Sequence, residues 1–175
     1  LKMDALGLRT VDVNHDAQKL VRKWFDPEFN KDLLPYNDKE TIKLINDGDT
    51  VGIFQVESSG FTQMMQQLDI GGYETERYKD RDYESLPTII KQRGDEIQDY
   101  MWIAAGVALY RPGPLDAVVE GKTMVQHLID RKAGKEPVVY MFNEEKSYLE
   151  ETYGILVYQE QVMARVRQMT GCSLG

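Results

Sequence analysis

Cysteine is almost missing from this chain. Cys172 is the single one among 175 residues, and one thiol cannot build an internal disulfide framework. Histidine is scarce too: with only His15 and His127, a Cys/His metal centre is not expected. No apolar run approaches the roughly 20 residues that a membrane helix needs, and no basic, apolar, small-residue leader opens the sequence. These absences predict a reduced, cytoplasmic protein with no membrane association. Positive charge is in deficit as well. The net charge is -8, whereas a domain that binds nucleic acid mainly through phosphate contacts is usually basic. That argues against an autonomous DNA-binding module. It leaves room for an enzyme that holds nucleic acid in a local basic groove while its bulk stays acidic.

What is present suffices for one domain with a real core, since 42% of the residues are apolar. The chain opens on Leu1 inside a dense apolar-rich segment and stops at Gly175 just after a helical pattern and a turn. Both ends read as cut from something longer. Leu1 to Thr10 alternates as a strand would, with Gly7 able to bend it. Val13 to Phe25 carries Ala17, Leu20, Val21 and Trp24 at helical spacing, and Asp26-Pro27 breaks the run. A second helix is expected from Asn37, with Glu40 in the capping-box position, Ile42 and Ile45 inward and Gly48 as terminator. Val51 to Phe54 reads as a short strand. Phe61, Met64, Met65 and Leu68 mark an amphipathic helix capped by Ser58 or Ser59.

From Tyr73 to Asp99 the composition shifts to mixed charge and tyrosine, as in a solvated insertion that is part helix at most. Tyr100 to Tyr110 reads as a buried helix. Another helix runs through Val125, Leu128 and Ile129 to Gly134. Asn143 is expected to cap a short one bearing Tyr148 and Leu149, with Gly154 as its stop. Ile155 to Tyr158 reads as a strand, and Val162, Met163, Val166 and Met169 form the last helical stripe before Gly171. The fold class is therefore α+β, predominantly α-helical, with a few short strands.

Several groups could carry chemistry. Lys2 and Asp4, two apart on a strand, point to one face, so an ammonium and a carboxylate lie side by side. Asp is an oxygen ligand for Mg2+ and Lys a point-charge partner for phosphate, although such a pair alone is most often a surface ion pair. Arg111-Pro112-Gly113-Pro114 is a stiff corner that presents Arg111 with little entropy left to lose, or else a purely structural bend. Gln55, Glu57, Ser58 and Ser59 open a helix, where free N–H groups attract anions and where capping is the plainer role. Gln159 and Gln161 sit at a similar corner. Asp47-Gly48-Asp49 and Asp80-Arg81-Asp82 have a D-x-D spacing, but one is a helix-ending turn and the other lies in the charged stretch, so neither is read as catalytic. Nothing suggests a Ser/His/Asp set, a Walker loop or a nucleophilic cysteine.

Five blocks taken together resemble the C-family replicases, the alpha subunits of bacterial DNA polymerase III. They are Lys2 to Thr10, Gly48 to Gly60, Ala108 to Asp116, Ile129 to Pro137 and Glu151 to Met163. The resemblance implies an end of palm over residues 1–12 and a fingers region over 13–175, with the charged insertion at 73–99 lacking a family counterpart. It implies template-directed deoxynucleotidyl transfer in the full-length protein. Asp4 would be one of three carboxylates holding two Mg2+ ions about 4 Å apart, with Lys2 balancing phosphate charge. Gln55, Ser58, Arg111, Gln159 and Gln161 would be the polar members of the nucleotide pocket. The partners implied are primer-template DNA, deoxynucleoside triphosphates and other replisome subunits.

Three departures accompany the resemblance. Ala5 stands where the family usually has an aromatic residue. The charged stretch from about Tyr73 to Asp99 is longer than the family's usual connection. The paired catalytic aspartates would lie upstream of Leu1, with triphosphate-contacting arginines beyond Gly175. The isolated chain is therefore expected to be inactive. The alternative is a non-catalytic, fingers-like structural or interaction module.

Overall fold

A computed structural model describes residues 7–70 and 95–173, with backbone alone at 95–98. Lys2, Asp4, Ala5 and most of the charged 73–99 stretch lie outside the described residues. The chain divides into two units, Leu1–Pro35 and Tyr36–Gly175. In the first, α1 (Arg9–Trp24) follows an extended Leu8. The strand expected through Thr10 does not reach that far, because Arg9 and Thr10 are already helical. Between Leu8 and Asp26 no proline or glycine interrupts the chain, and each added residue gains a helical bond once the first turn exists. Helix α1 has no buried residue, and Leu20 and Trp24, which recur at helical spacing, are exposed. After Asp26-Pro27 the chain doubles back. Arg22 Nε donates to the Phe29 carbonyl at 2.6 Å, and Lys31 N–H donates to Gln18 Oε1 at 2.9 Å.

The second unit starts with α2 (Lys39–Asp47), which buries Ile42 and Ile45 and ends at Gly48 in the left-handed region, φ 82°. Its cap is Asp38, one residue later than expected. The Asp38 carboxylate accepts from Thr41 N–H at 2.8 Å and from Thr41 Oγ1 at 2.6 Å, and a negative charge here also suits the helix dipole. Val51 to Phe54 is not a strand. Gly52 has φ 81°, and successive turns close from Ile53 N–H to Thr50 O and from Val56 N–H to Ile53 O, both 3.1 Å. A glycine in that conformation breaks the pleat, and Val51 is left exposed.

Next come α3 (Ser59–Leu68), α4 (Asp95–Leu109) and α5 (Pro112–Asp116). A two-stranded antiparallel hairpin follows, β1 (Val118–Val119) against β2 (Lys122–Thr123), with Val118 opposite Thr123 and Val119 opposite Lys122. Glu120 and Gly121 between them both have positive φ, 50° and 83°, as a tight primed turn requires. Helix α6 (Met124–Lys132) is capped by the Thr123 hydroxyl, which accepts from Gln126 N–H at 3.1 Å. A 3-10 turn, Asn143–Glu145, leads into α7 (Lys146–Leu149); its cap position is Phe142, so Asn143 is the first residue of the turn and not a cap. Ile155 to Tyr158 makes no strand pairing among the described residues, and α8 (Gln159–Thr170) ends at Gly171, φ 70°. The class is α+β and predominantly helical, as expected.

Helix α3 lies at the centre, touching α2, α4 and α6. Its Phe61, Met64, Met65 and Leu68 are buried, as their spacing predicts. They meet Ile42 and Ile45 of α2, Trp102, Ala105 and Leu109 of α4, and Val125, Leu128 and Ile129 of α6. One core-facing position on α6 is a lysine. Val125, Leu128, Ile129 and Lys132 follow the i, i+3, i+4, i+7 pattern of a buried face, and Lys132 is 2% exposed. Its ammonium donates to the carbonyls of Leu68 and Asp69, both at 2.8 Å, and sits 5.1 Å from the Trp102 ring centroid. These carbonyls end α3, where intrahelical donors run out and a cation is favoured.

Replacing Lys132 with methionine keeps the length of the side chain and removes its donors. Lys132→Met should therefore lower stability by about 2 kcal/mol or more, because two carbonyls lose their partner. Urea unfolding measures this; a midpoint equal to that of the parent protein would show that α3 does not need the cap.

Candidate functional site

Helix α4 ends at Leu109, and the chain turns sharply into α5. Arg111 is extended (φ -138°, ψ 153°), the conformation favoured before proline, and Pro112 occupies the first helical position, where no donor is needed. The Arg111 carbonyl accepts from Leu115 N–H at 3.1 Å, and its own N–H donates to Leu109 O at 2.8 Å. The backbone is thus pinned on both sides while the guanidinium is exposed, with no hydrogen bond or ion pair among the described residues. Just before it, Tyr110 stands edge-on to Phe61, centroids 5.2 Å apart at 74°. The Tyr110 hydroxyl lies against Gly60, so closely that a Cβ there would come within 2.5 Å of it. The first turn of α3 and the Arg111 corner are therefore neighbours. Ser58 is the N-cap of α3 but uses no side-chain bond for it, and its exposed hydroxyl is left for solvent. Gln55, in the preceding turn, is exposed and held at φ 66°.

Beside this corner runs an open groove of about 190 Å3 between α3 and α6, lined among others by Gln63, Gln67, Leu115 and Gln126. A larger hollow of about 370 Å3 lies on α2, walled by Glu40, Asp47 and Asp49 with Lys43. Lys43 there is already paired with Asp47 at 2.5 Å, so that hollow repels phosphate. Gln159 and Gln161 part company at the start of α8. Gln159 is exposed. Gln161 is 3% exposed, and its amide is fully committed: Oε1 accepts from Val157 N–H at 2.8 Å and Tyr158 N–H at 3.0 Å. Its Nε2 donates to Tyr148 O at 3.1 Å and to Thr152 Oγ1 at 2.9 Å. All four bonds available to a glutamine side chain are made inside the protein.

A second polar cluster surrounds α6. His127 places Nδ1 2.8 Å from Glu136 Oε1 and Nε2 2.8 Å from Val119 O. Both ring nitrogens face acceptors, so the doubly protonated ring satisfies both. The Val119 carbonyl, with Glu136 behind it, holds the His127 pKa above its ordinary value against the opposing effect of burial. Glu136 also accepts from Arg131 Nε at 3.0 Å, and Arg131 Nη1 donates to Tyr153 O at 3.1 Å. Burial alone would raise the Glu136 carboxyl; Arg131 and His127 together hold it below its usual value. Lys122 Nζ bonds Asp130 Oδ2 at 2.7 Å, and Gln126 Nε2 bonds Asp130 Oδ1 at 2.9 Å, so Lys122 first and Gln126 with it depress the Asp130 pKa. The cluster ties the hairpin, α6 and the turn at Tyr153 together. Every charge in it already has an opposite.

The sequence profile described as the bacterial DNA polymerase III alpha subunit finger domain matches residues 10–74 and 89–175. The chain belongs to that family. DNA polymerase III subunit alpha of Campylobacter jejuni is 35% identical over 175 residues, which is all of this chain and 12% of that protein. The Bacillus subtilis protein of the same name is 34% identical over 175 residues, covering all of this chain and 13% of its own length. That of Thermus aquaticus is 36% identical over 180, again covering 12% of itself. The finger-domain chain thus spans about an eighth of the length of these curated relatives. The two parts of the profile match are separated by residues 75–88, which fall inside the charged 73–99 stretch.

Of the residues singled out in the sequence, the finger-domain structure exposes Gln55, Ser58, Arg111 and Gln159 and buries Gln161. It sets Ser58 and Arg111 on adjoining elements. Lys2 and Asp4 lie outside the described residues. Lys132 and the His127 cluster were not foreseen, although a lysine at a core-facing helical spacing was visible as a signal. Because the His127 pKa is raised on folding, its stabilising contribution is fully present below the unfolded value of about 6.5 and is lost as pH rises through the folded value. The depressed Asp130 and Glu136 work the other way, contributing above about pH 4 and less as pH falls. Subtracting the stability–pH curve of His127→Gln from that of the parent chain should leave a difference that is largest in mildly acidic solution and shrinks toward alkaline pH. A flat or rising difference would mean that His127 is neutral in the fold.

Proposed function

We propose that the full-length protein is a DNA-directed DNA polymerase and that this finger-domain chain supplies part of the surface that receives the incoming deoxynucleoside triphosphate. The observation that carries the reading is the family membership across the whole chain. Its support within the fold is Arg111, an exposed cation on a proline-stiffened corner beside the start of α3. A guanidinium held by a pinned backbone loses little freedom on meeting a phosphate and can bond it with two parallel N–H groups. Ser58 and Gln55, exposed on the approach to α3, and Gln159, at the start of α8, are the other polar groups free to meet nucleotide or template. Gln161 has a different role in this reading: it holds the α8 corner in shape.

Asp4 is assigned as a metal ligand and Lys2 as a phosphate partner on the resemblance of their block alone. Among the described residues no group of three His, Cys, Asp or Glu side chains could hold a metal ion, and the resemblance gives this chain one of the three carboxylates of a two-Mg2+ site. Bound Mg2+ would supply the activation of the primer hydroxyl and the stabilisation of the leaving oxygens that such a site provides. The proposed partners are primer-template DNA and other replisome subunits, and the proposed location is the cytoplasm. Among the described residues no helix is long and apolar enough to cross a membrane.

The test uses the full-length gene product. Asp4→Asn keeps size and removes charge, so primer extension should fall at least about a hundredfold, the scale of losing one central electrostatic group. Arg111→Ala should raise KM for nucleotide while leaving the melting temperature where it was, since nothing described depends on its side chain. Near-parental turnover of Asp4→Asn would remove Asp4 from the chemistry. An Arg111→Ala protein that melts early but uses nucleotide normally would make the corner architectural. The 175-residue chain on its own should extend no primer; template-directed incorporation by it would overturn the assignment of the remaining ligands to other parts of the polypeptide.

A further inference from the structure

Helix α8 is amphipathic in the reverse sense. Gln161, Arg165 and Gln168 recur at i, i+4 and i+7 and share the face turned toward the rest of the fold. Gln161 is locked there by its four bonds. Arg165 Nε approaches the buried Glu145 Oε1 to 2.7 Å. Neither atom has an aligned hydrogen-bond partner, so this is an ion pair held by proximity. Glu145 Oε2 accepts from Met141 N–H at 2.8 Å, and the Tyr148 hydroxyl donates to Gln168 Oε1 at 2.7 Å. Nearby, burial and then Glu151 push the Tyr158 phenol up to about 12, so it stays protonated at the mouth of the helix. The neighbouring face, about 100° round the helix, carries Val162, Met163, Val166 and Met169, exposed by 47%, 38%, 50% and 63%. A surface helix ordinarily buries its apolar stripe and shows its polar one. Here the buried residue is the polar Gln161, Arg165 is half-buried and Gln168 is exposed at the end of that face, while the apolar side is out.

We propose that the Val162–Met169 stripe is an intramolecular docking surface, covered in the full-length protein by an apolar segment from elsewhere in the same polypeptide. The proposal rests on the polymerase reading to the extent that it takes this chain to be part of a longer one. Two facts favour a tethered occupant. The relatives devote only 12% or 13% of their length to the matching region, so a large polypeptide is at hand to supply the cover. The stripe is also small: four side chains, against the roughly 20 residues per side of a stable complex between separate proteins. A segment on the same chain needs far less contact area, because its effective concentration is high.

The test is thiol labelling in the full-length protein, purified without other subunits and followed by mass spectrometry of the peptides concerned. Val166→Cys and, in a second protein, Met169→Cys report the stripe, in a Cys172→Ser background; Glu144→Cys reports an exposed polar site. The stripe thiols should react at least about tenfold more slowly than Glu144→Cys at every protein concentration, and equally fast in denaturant. Equal rates in the native protein overturn the proposal. Protection that fades on dilution assigns the stripe to a second copy, and protection that arises only when other replisome subunits are added assigns it to a partner; both overturn the tethered cover. Primer extension by the unsubstituted full-length protein stands apart from this result. An inactive polymerase with protected thiols would sink the functional reading and leave the docking surface intact.

Discussion

A buried ammonium at the end of the central helix sets the frame for everything else. Taking a lysine out of water costs several kcal/mol unless its donors are met, and Lys132 meets carbonyls at the end of α3 while lying over the face of Trp102. The same α6 residue thus fixes the register of α6 against α3 and the place of α4 beside both. Once Lys132 points into the core, its neighbours on α6 must point elsewhere. Asp130 turns to Lys122 of the hairpin, and Arg131 turns to Glu136 and the Tyr153 carbonyl. Tyr153 in turn stacks on Trp102 at 5.9 Å, which closes the circuit. With the far end of α3 anchored, its start is delivered along ten residues, roughly 15 Å of rigid helix, to the Tyr110–Arg111 corner.

The C-terminal part is organised differently. Its inner contacts mix polar with apolar: Glu145, Thr152 and Gln161 are buried beside Leu149, Tyr153 and Ile155. Tyr153 and Gly154 take positive φ, 51° and 79°, and a Cβ on Gly154 would meet the Val139 carbonyl at 2.5 Å. Apolar contact alone tolerates sliding, whereas a glutamine with four partners accepts one geometry. The corner before α8 is therefore well defined by polar bonds as well as by the buried Leu149, Tyr153 and Ile155. That is also why the helix has its valines and methionines left over for the outside.

The elements whose burial follows their own periodicity were legible from the sequence. Phe61, Met64, Met65 and Leu68 announce α3, and Gly48 and Gly171 announce helix ends that the left-handed backbone confirms. Legibility failed where burial and polarity disagree. Lys132 is buried because of a partner distant in sequence, Leu68, and His127 because the hairpin and the turn after α6 bring Val119 and Glu136 to its two ring nitrogens. The stripe on α8 fixed a helix but could not say which of its faces was covered. Val51 to Phe54 has the composition of a strand, yet Gly52 and two successive turns use its backbone bonds locally. Val118 to Thr123 does form strands, but two residues apiece are too few to show alternation. At the candidate site, the Pro112 constraint on Arg111 was readable and the adjacency of Gly60 and Tyr110 was not, because it depends on how two helices pack.

Net charge is a poor guide to such a surface, and the ion pairs show why. Asp130, Glu136 and Glu145 are carboxylates turned inward, and Lys122, Arg131 and Arg165 are the cations that meet them. Those six charges offset one another in pairs, with Lys122 the exposed member, and project little net field outward. What a phosphate would encounter is decided instead by the cations left outside and by how firmly each is held. At a Debye length of about 8 Å in physiological salt, an exposed carboxylate on α2 hardly influences a guanidinium well beyond that distance. A cation on a pinned backbone can therefore attract an anion in an acidic domain. In that setting stiffness does what a surplus of lysines does in a basic one: it lowers the entropic cost of each contact, so that few contacts are enough.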